Sequence, residues 1–259
     1  MIKITNRSAG FGTVVPGDFP MTATRLAALT AMTVALVQCA PAHRPAPERS
    51  EPTSATSAPA STAAAAPPPP PPPQPGPASV RPVTAAELAT TWRPGCPLPP
   101  EKLRLVDLDY WGFDGQTHRG QLVVHQDLTA QVIAVFEQLF RLRFPIERMQ
   151  TVDHYPGADD ELSMRDNNTS AFNCRDIPAT GGWSPHAYGR AVDINPLLNP
   201  YVDRRGDYQP ANAGPFVDRT RTDPGVLHDG DPAVRAFTDR GWRWGGHWRT
   251  PRDYQHFES

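Results

Sequence analysis

The apolar residues fall into distinct patterns along the chain. Leu128, Val132, Val135, Phe136, Leu139 and Phe140 recur at three- and four-residue spacing, the stripe of a helix with one face in a core. Asp127 suits the N-cap of that helix, and the spacing carries it to about Phe144, where Pro145 stops it. A second helix is bracketed by Asp231 as cap, Pro232 at the first helical position and Gly241 just past the end. Elsewhere the pattern reads as extended chain. Leu103 to Leu108 and Leu122 to His125 read as strands bounded by turn residues, and Ile146 to Val152 leads into another. Trp92 to Pro97 forms a turn-rich opening. No repeat and no alternating βαβ series is present. The expectation is an α+β domain, single and compact, with a small antiparallel sheet, flanking helices and long loops around a cleft.

Nearer the N-terminus the pattern changes to a short continuous apolar run. From Met21, one cation, Arg25, precedes Leu26 to Val37, followed by small residues and Cys39. That order is the layout of an export signal over residues 21–39. Met21 then reads as an alternative start, leaving residues 1–20 as an upstream extension that need not be translated. Leu36-Val37-Gln38-Cys39 resembles a bacterial lipobox, with Cys39 as the lipidated residue, although Gln38 stands where that motif has a small residue. The run is too short for a spanning helix, and no apolar run of 18 or more residues follows it.

Composition divides the rest. Prolines number 32 among 259 residues, and 15 of them lie between Pro41 and Pro82, including the unbroken run Pro67 to Pro73. That stretch has no aromatic residue, whereas all six Trp, all six Tyr and eight of the ten Phe lie beyond residue 90. Residues 40–82 therefore read as a disordered Pro/Ala-rich spacer with polyproline II character, and 83–259, about 177 residues, as the folded domain. Net charge is −2 and the isoelectric point about 6.4. Bulk charge thus supports neither nucleic-acid binding nor a polybasic membrane tether.

Candidate chemistry concentrates in two segments. In Trp183-Ser184-Pro185-His186-Ala187-Tyr188-Gly189-Arg190-Ala191-Val192-Asp193-Ile194-Asn195, alternation sends Ala191, Asp193 and Asn195 to one face and Val192 and Ile194 to the other. His186 precedes that strand across a turn that Gly189 permits. The C-terminus adds His247, then Asp253-Tyr254-Gln255-His256. Two histidines and one carboxylate leave an open coordination position, the arrangement of a catalytic metal centre. Asp253 supplies a further carboxylate to take a proton.

Ser184-x-His186-x-x-Gly189-x-Ala191-x-Asp193 followed by Asp253-x-x-His256 resembles the zinc D-alanyl-D-alanine carboxypeptidases and L-alanyl-D-glutamate endopeptidases, whose fold group includes lysostaphin-type enzymes and the Hedgehog domain. The likeness extends over roughly residues 90–259, Asn168 to Arg175 included. It implies one zinc ion held by His186, Asp193 and His256, with Asp253 as general base for a zinc-activated water. It also implies a cation beside the developing oxyanion: Arg175 is the first candidate and Arg165 the second. Ser184 is assigned to substrate or supporting hydrogen bonds. His247 either binds substrate or stacks at the surface beside Trp248. The implied substrate is the peptide stem of peptidoglycan, which an exported domain on a spacer reaches. The other reading of the same motifs is a non-catalytic zinc domain that binds the cell wall or a partner.

The remaining residues take plainer readings. His118, His125, His154 and His228 are structural or surface histidines. Asp159 to Glu161 reads as a solvated loop, with recognition of a cationic stem residue as the other reading. Cys39 belongs to the processing site, which leaves Cys96 and Cys174 as a disulfide pair, permitted outside the cytoplasm.

Overall fold

The structure is a computed structural model and describes residues 74–88, 90–177 and 180–259. The expected export signal, Cys39 and most of the expected spacer lie outside the described residues. Among the described residues no helix is long and apolar enough to cross a membrane.

The architecture is α+β, as the patterning implies. Strand β1 (Ser79–Pro82) is followed by a long hairpin, β2 (Leu103–Trp111) and β3 (Thr117–His125), and the three form one antiparallel sheet in the order β1-β2-β3. Helix α1 (Thr129–Arg141) comes next, then β4 (Arg148–Met149), α2 (Asp160–Arg165) and β5 (Asn168–Thr169). The C-terminal half holds β6 (Ala191–Asp193), β7 (Tyr201–Val202), β8 (Tyr208–Gln209), α3 (Pro232–Thr238), β9 (Arg243–Trp244), β10 (Arg252–Asp253) and β11 (His256–Glu258). Two further small antiparallel sheets run β6-β11-β9 and β10-β7-β8, and β4 pairs with β5 in parallel.

The hairpin is the spine, because both of its faces are buried. Val106, Leu108, Leu122 and Val124 point to the main core with α1, α3, Trp244 and Phe257. Leu103, Leu105 and Val123 point the other way, against Val83, Leu88, Phe172 and Cys174. Alternation thus lets one hairpin divide two apolar clusters. Cys96 and Cys174 are bonded at the edge of the smaller cluster, with Cα atoms 5.9 Å apart across 78 residues of sequence.

Several element boundaries differ from expectation. The folded part begins before residue 83: Ser79 to Pro82 pair with Arg104 to Asp107 although all four side chains are exposed. Backbone pairing needs no apolar side chain, so a proline-rich composition hides it. Asp127 is not the cap of α1. It lies within a 3-10 turn, Gln126–Leu128, that the His125 ring caps, Nδ1 accepting from Asp127 N at 3.3 Å. The helix starts two residues later and ends at Arg141, because Arg143 turns the chain with φ 52 before Pro145. Of Ile146 to Val152 only Arg148 and Met149 form a strand. Asp159 to Glu161 is helical rather than loop, with Asp159 Oδ1 capping α2 at Leu162 N (3.0 Å). Helix α3 starts at Pro232 as expected, but the Asp231 carboxylate accepts from His228 N (2.8 Å) instead of capping it.

Candidate metal centre

His186 is placed by a turn that is fixed at both ends. The Ser184 hydroxyl oxygen accepts from His186 N at 3.3 Å and opens a 3-10 turn over Pro185–Tyr188. Gly189 closes it with φ +62, and its carbonyl accepts from His125 N at 2.8 Å. A Cβ at Gly189 would lie 2.6 Å from that same nitrogen, so glycine is required both by conformation and by the closeness of β3. Ser184 is buried, and its hydroxyl serves the turn that carries His186.

The other two ligand-type residues meet across a ladder. β11 pairs with β6 so that His256 stands directly opposite Asp193, Phe257 opposite Val192 and Glu258 opposite Ala191. Cross-strand partners share a face, and His186 arrives above them from the preceding turn. His186, Asp193 and His256 are 2%, 4% and 5% exposed. His186 Nε2 is 3.1 Å from Asp193 Oδ2 and 3.1 Å from His256 Nδ1, and His256 Nδ1 is 3.1 Å from Asp193 Oδ1. The three form a group that can hold a metal ion.

Hydrogen bonding on the outer sides fixes which nitrogens face inward. His186 Nδ1 lies 2.5 Å from the Ala171 carbonyl oxygen, which only accepts, so Nδ1 carries the hydrogen and Nε2 presents a lone pair. His256 Nε2 faces Glu258 Oε2 at 3.4 Å, and Glu258 Oε1 is in turn held by Arg243 at 2.7 Å. With a cation in the group the hydrogen stays on Nε2 against Glu258 and Nδ1 is free to face inward; without one, Nδ1 donates to Asp193 Oδ1 at 3.1 Å. Two imidazole nitrogens and a carboxylate converge in a buried pocket, an arrangement that takes either a metal cation or a proton among them. Burial by itself would lower the His256 imidazole, but its hydrogen bonds to Asp193 and Glu258 and the nearby carboxylate charges push it up to about 10. The cluster thus takes a proton when nothing else supplies the charge. Burial would raise the Asp193 carboxyl, yet the charge and hydrogen bonds of the two histidines hold it well below the usual carboxylate range. Tetrahedral zinc with nitrogen and oxygen donors at about 2.0–2.1 Å sets neighbouring donors roughly 3.3 Å apart, close to the 3.1 Å separations here. The residues fit such an ion.

Asp253 sits on β10, opposite Tyr201 of β7. Its Oδ1 is buried and has no hydrogen-bond partner among the described residues. Burial, helped by the charge of Asp193, raises its carboxyl to about 6, while His256, His186 and Arg175 pull the other way. It is an unsatisfied proton acceptor within electrostatic reach of the whole group. Arg175 pairs through Nε with Asp160 Oδ2 at 3.0 Å and borders a cavity of about 360 Å3. Arg165 is exposed at the end of α2, with no ion pair among the described residues. His247 stands outside the group, exposed, with Nε2 2.7 Å from Asp229 Oδ1 and its ring edge-on to Trp244. The remaining histidines take peripheral places: His118 pairs with Asp114, His154 with Thr151 and His228 with Asp231.

Glu258, Arg243 and the Ala171 carbonyl were not singled out from sequence. Glu258 had one usable signal: two residues after His256 on a strand, it shares that residue's face.

A family model described as D-alanyl-D-alanine carboxypeptidase matches residues 178–259, the stretch that carries His186, Asp193, Asp253 and His256. The resemblance read from the two motifs holds for that stretch. No curated protein and no solved structure matches the chain.

Proposed function

We propose that this chain, matched over residues 178–259 by the D-alanyl-D-alanine carboxypeptidase family model, is an exported zinc peptidase that hydrolyses peptide bonds of the peptidoglycan stem. The observation that carries the reading is the convergence of two imidazole nitrogens and the Asp193 carboxylate, with the partnerless Asp253 oxygen in electrostatic contact with them. A wholly structural centre has no use for a buried base without a partner.

His186, Asp193 and His256 would hold the zinc, which when bound supplies a Lewis acid for the scissile carbonyl and makes water acidic near neutral pH. Asp253 accepts the proton of the attacking water at its free oxygen and passes it to the leaving amine. That oxygen is buried and accepts no other hydrogen bond among the described residues, which leaves it free for the shuttle. The Arg175 guanidinium, whose charge already acts on Asp253, stabilises the negative charge that grows on the carbonyl oxygen. Glu258 and the Ala171 carbonyl hold the imidazoles in the tautomers that face inward. Export through residues 21–39, with Cys39 as lipid acceptor and the following spacer for reach, would bring the domain to this substrate.

Incubation of the purified chain with peptidoglycan, with and without a chelator, tests the reading. Release of free amines that stops on chelation and returns with zinc is expected, and mass spectrometry of the products identifies the bond. Absence of zinc-dependent release from any cell-wall peptide would sink it. Asp253→Ala should abolish turnover with zinc still bound.

A further inference from the structure

Strands β7 and β10 have a face that the metal group does not use. Tyr201 lies opposite Asp253, and Val202 lies opposite Arg252. Alternation therefore sends Val202 and Arg252 away from the face of Asp253. On that far side is a cavity of about 420 Å3 with an apolar floor of Val202, Val217 and Tyr254.

Its charged lining is one-sided. Arg204 comes from the turn between β7 and β8, and Arg249 and Arg252 from the segment after Trp248. Among the described residues Arg204 and Arg249 make no side-chain hydrogen bond or ion pair, and Arg252 spends one N–H on the Gly246 carbonyl at 2.7 Å. The lining contains one carboxylate, Asp203, which is already committed. Its Oδ1 accepts from the N–H groups of Arg205 (2.7 Å) and Asp207 (3.0 Å), and its Oδ2 faces Arg205 Nε at 3.3 Å. Nearby acids serve their own loop: Asp218 accepts from Thr220, and Asp223 takes the Arg221 fork at 2.8 and 2.9 Å. A fourth guanidinium lies behind Tyr254. Arg219 stacks on its ring at 4.3 Å, donates to the carbonyls of Leu198, Phe216 and Leu227 and to Asn199 Oδ1, and meets no carboxylate. Its buried Nε has no partner.

A chain of net charge −2 thus gathers uncompensated cations around one concavity. Like charges so arranged repel unless an anion lies among them. Guanidinium forks suit planar or tetrahedral oxyanions. Three guanidinium groups from separate stretches of backbone line one opening, which suits a ligand that carries several oxyanions. We propose that this cavity is an anion-binding exosite for a polymer of repeated oxyanions, phosphate or carboxylate, which leaves the face of Asp253 open. The proposal does not depend on the peptidase reading.

The test measures binding of the full chain to fluorescently labelled polyphosphate and poly-L-glutamate across a salt series, without any activity. The variant R204E/R249E keeps Arg252, which braces the segment beside Asp253. It should bind at least tenfold more weakly, with a salt slope lower by about 1.4–1.8, two contacts at roughly 0.7–0.9 each. R204K/R249K should keep the slope and so exclude misfolding as the cause. R141E/R235E, the same charge change on α1 and α3, should bind like the parent chain. Selective loss with one polymer names the ligand as phosphate- or carboxylate-bearing. Binding to neither polymer, binding that R204E/R249E leaves unchanged, or equal loss in R141E/R235E overturns the proposal.

Discussion

Asp253 offers a test in which function and stability oppose each other. Its carboxyl has an ordinary value of 3.8 and is raised to about 6 in the fold, chiefly by burial. Between pH of about 4 and 6 the folded chain holds a proton that the unfolded chain has released. Stability of the metal-free protein therefore falls as pH rises through that window and stays low above it. A difference of about 2 pKa units corresponds to on the order of 3 kcal/mol as an upper bound. Asp253→Asn removes the buried charge while keeping its shape. With metal chelated at pH 8, the variant should be more stable than the parent, by up to roughly 6–12 °C in Tm for a domain of this size. At pH 4 the gain should vanish. Zinc should shrink it at pH 8, because a neighbouring dication favours the ionised carboxylate. Paired thermal melts at the two pH values, each with chelator and with zinc, read all of this. A loss of stability at pH 8, or a gain undiminished at pH 4, would show that the carboxylate is not held at an energetic cost.

Glu258→Ala should weaken zinc binding by about 10–100-fold in a chelator competition, whereas Glu258→Gln, which retains an acceptor for His256, should lose much less. Cys96→Ser or Cys174→Ser should lower the unfolding free energy read from a denaturant titration, by up to about 4.5 kcal/mol for a 78-residue separation. Gly189→Ala should destabilise by a few kcal/mol and weaken metal binding together, since its Cβ meets His125 N and the turn also positions His186; circular dichroism and a metal titration would separate the two effects.

The metal group was legible because two of its residues sit on one local motif, a turn plus a strand, where spacing maps directly onto geometry. His256 was legible only as a residue type suited to the group, and its choice over His247 rested on the resemblance, since its meeting with Asp193 depends on a ladder between strands 63 residues apart. Glu258 escaped because its function exists only once Arg243 and His256 flank it. Helix α1 was plain from its stripe, but its start was not, because a histidine ring rather than Asp127 serves the preceding turn. Strand β1 could not be seen at all: its pairing is backbone to backbone and its composition argues for disorder. The hairpin read short at both strands, since pairing continues past the apolar residues through Asp109, Tyr110 and His118.

The facing of His256 and Asp193 has one more consequence. Phe257, between His256 and Glu258, is fully buried in the main core and stacks on Phe237 with centroids 4.0 Å apart. A slip of β11 by one position would invert every side chain of the strand. Phe257 would enter the cleft, and His256 and Glu258 would enter the hydrocarbon interior. There is no half-slipped arrangement that preserves either. The same three-residue alternation that seals the core therefore also fixes the facing of His256 and Asp193, and a misregistered chain loses its core packing along with that facing.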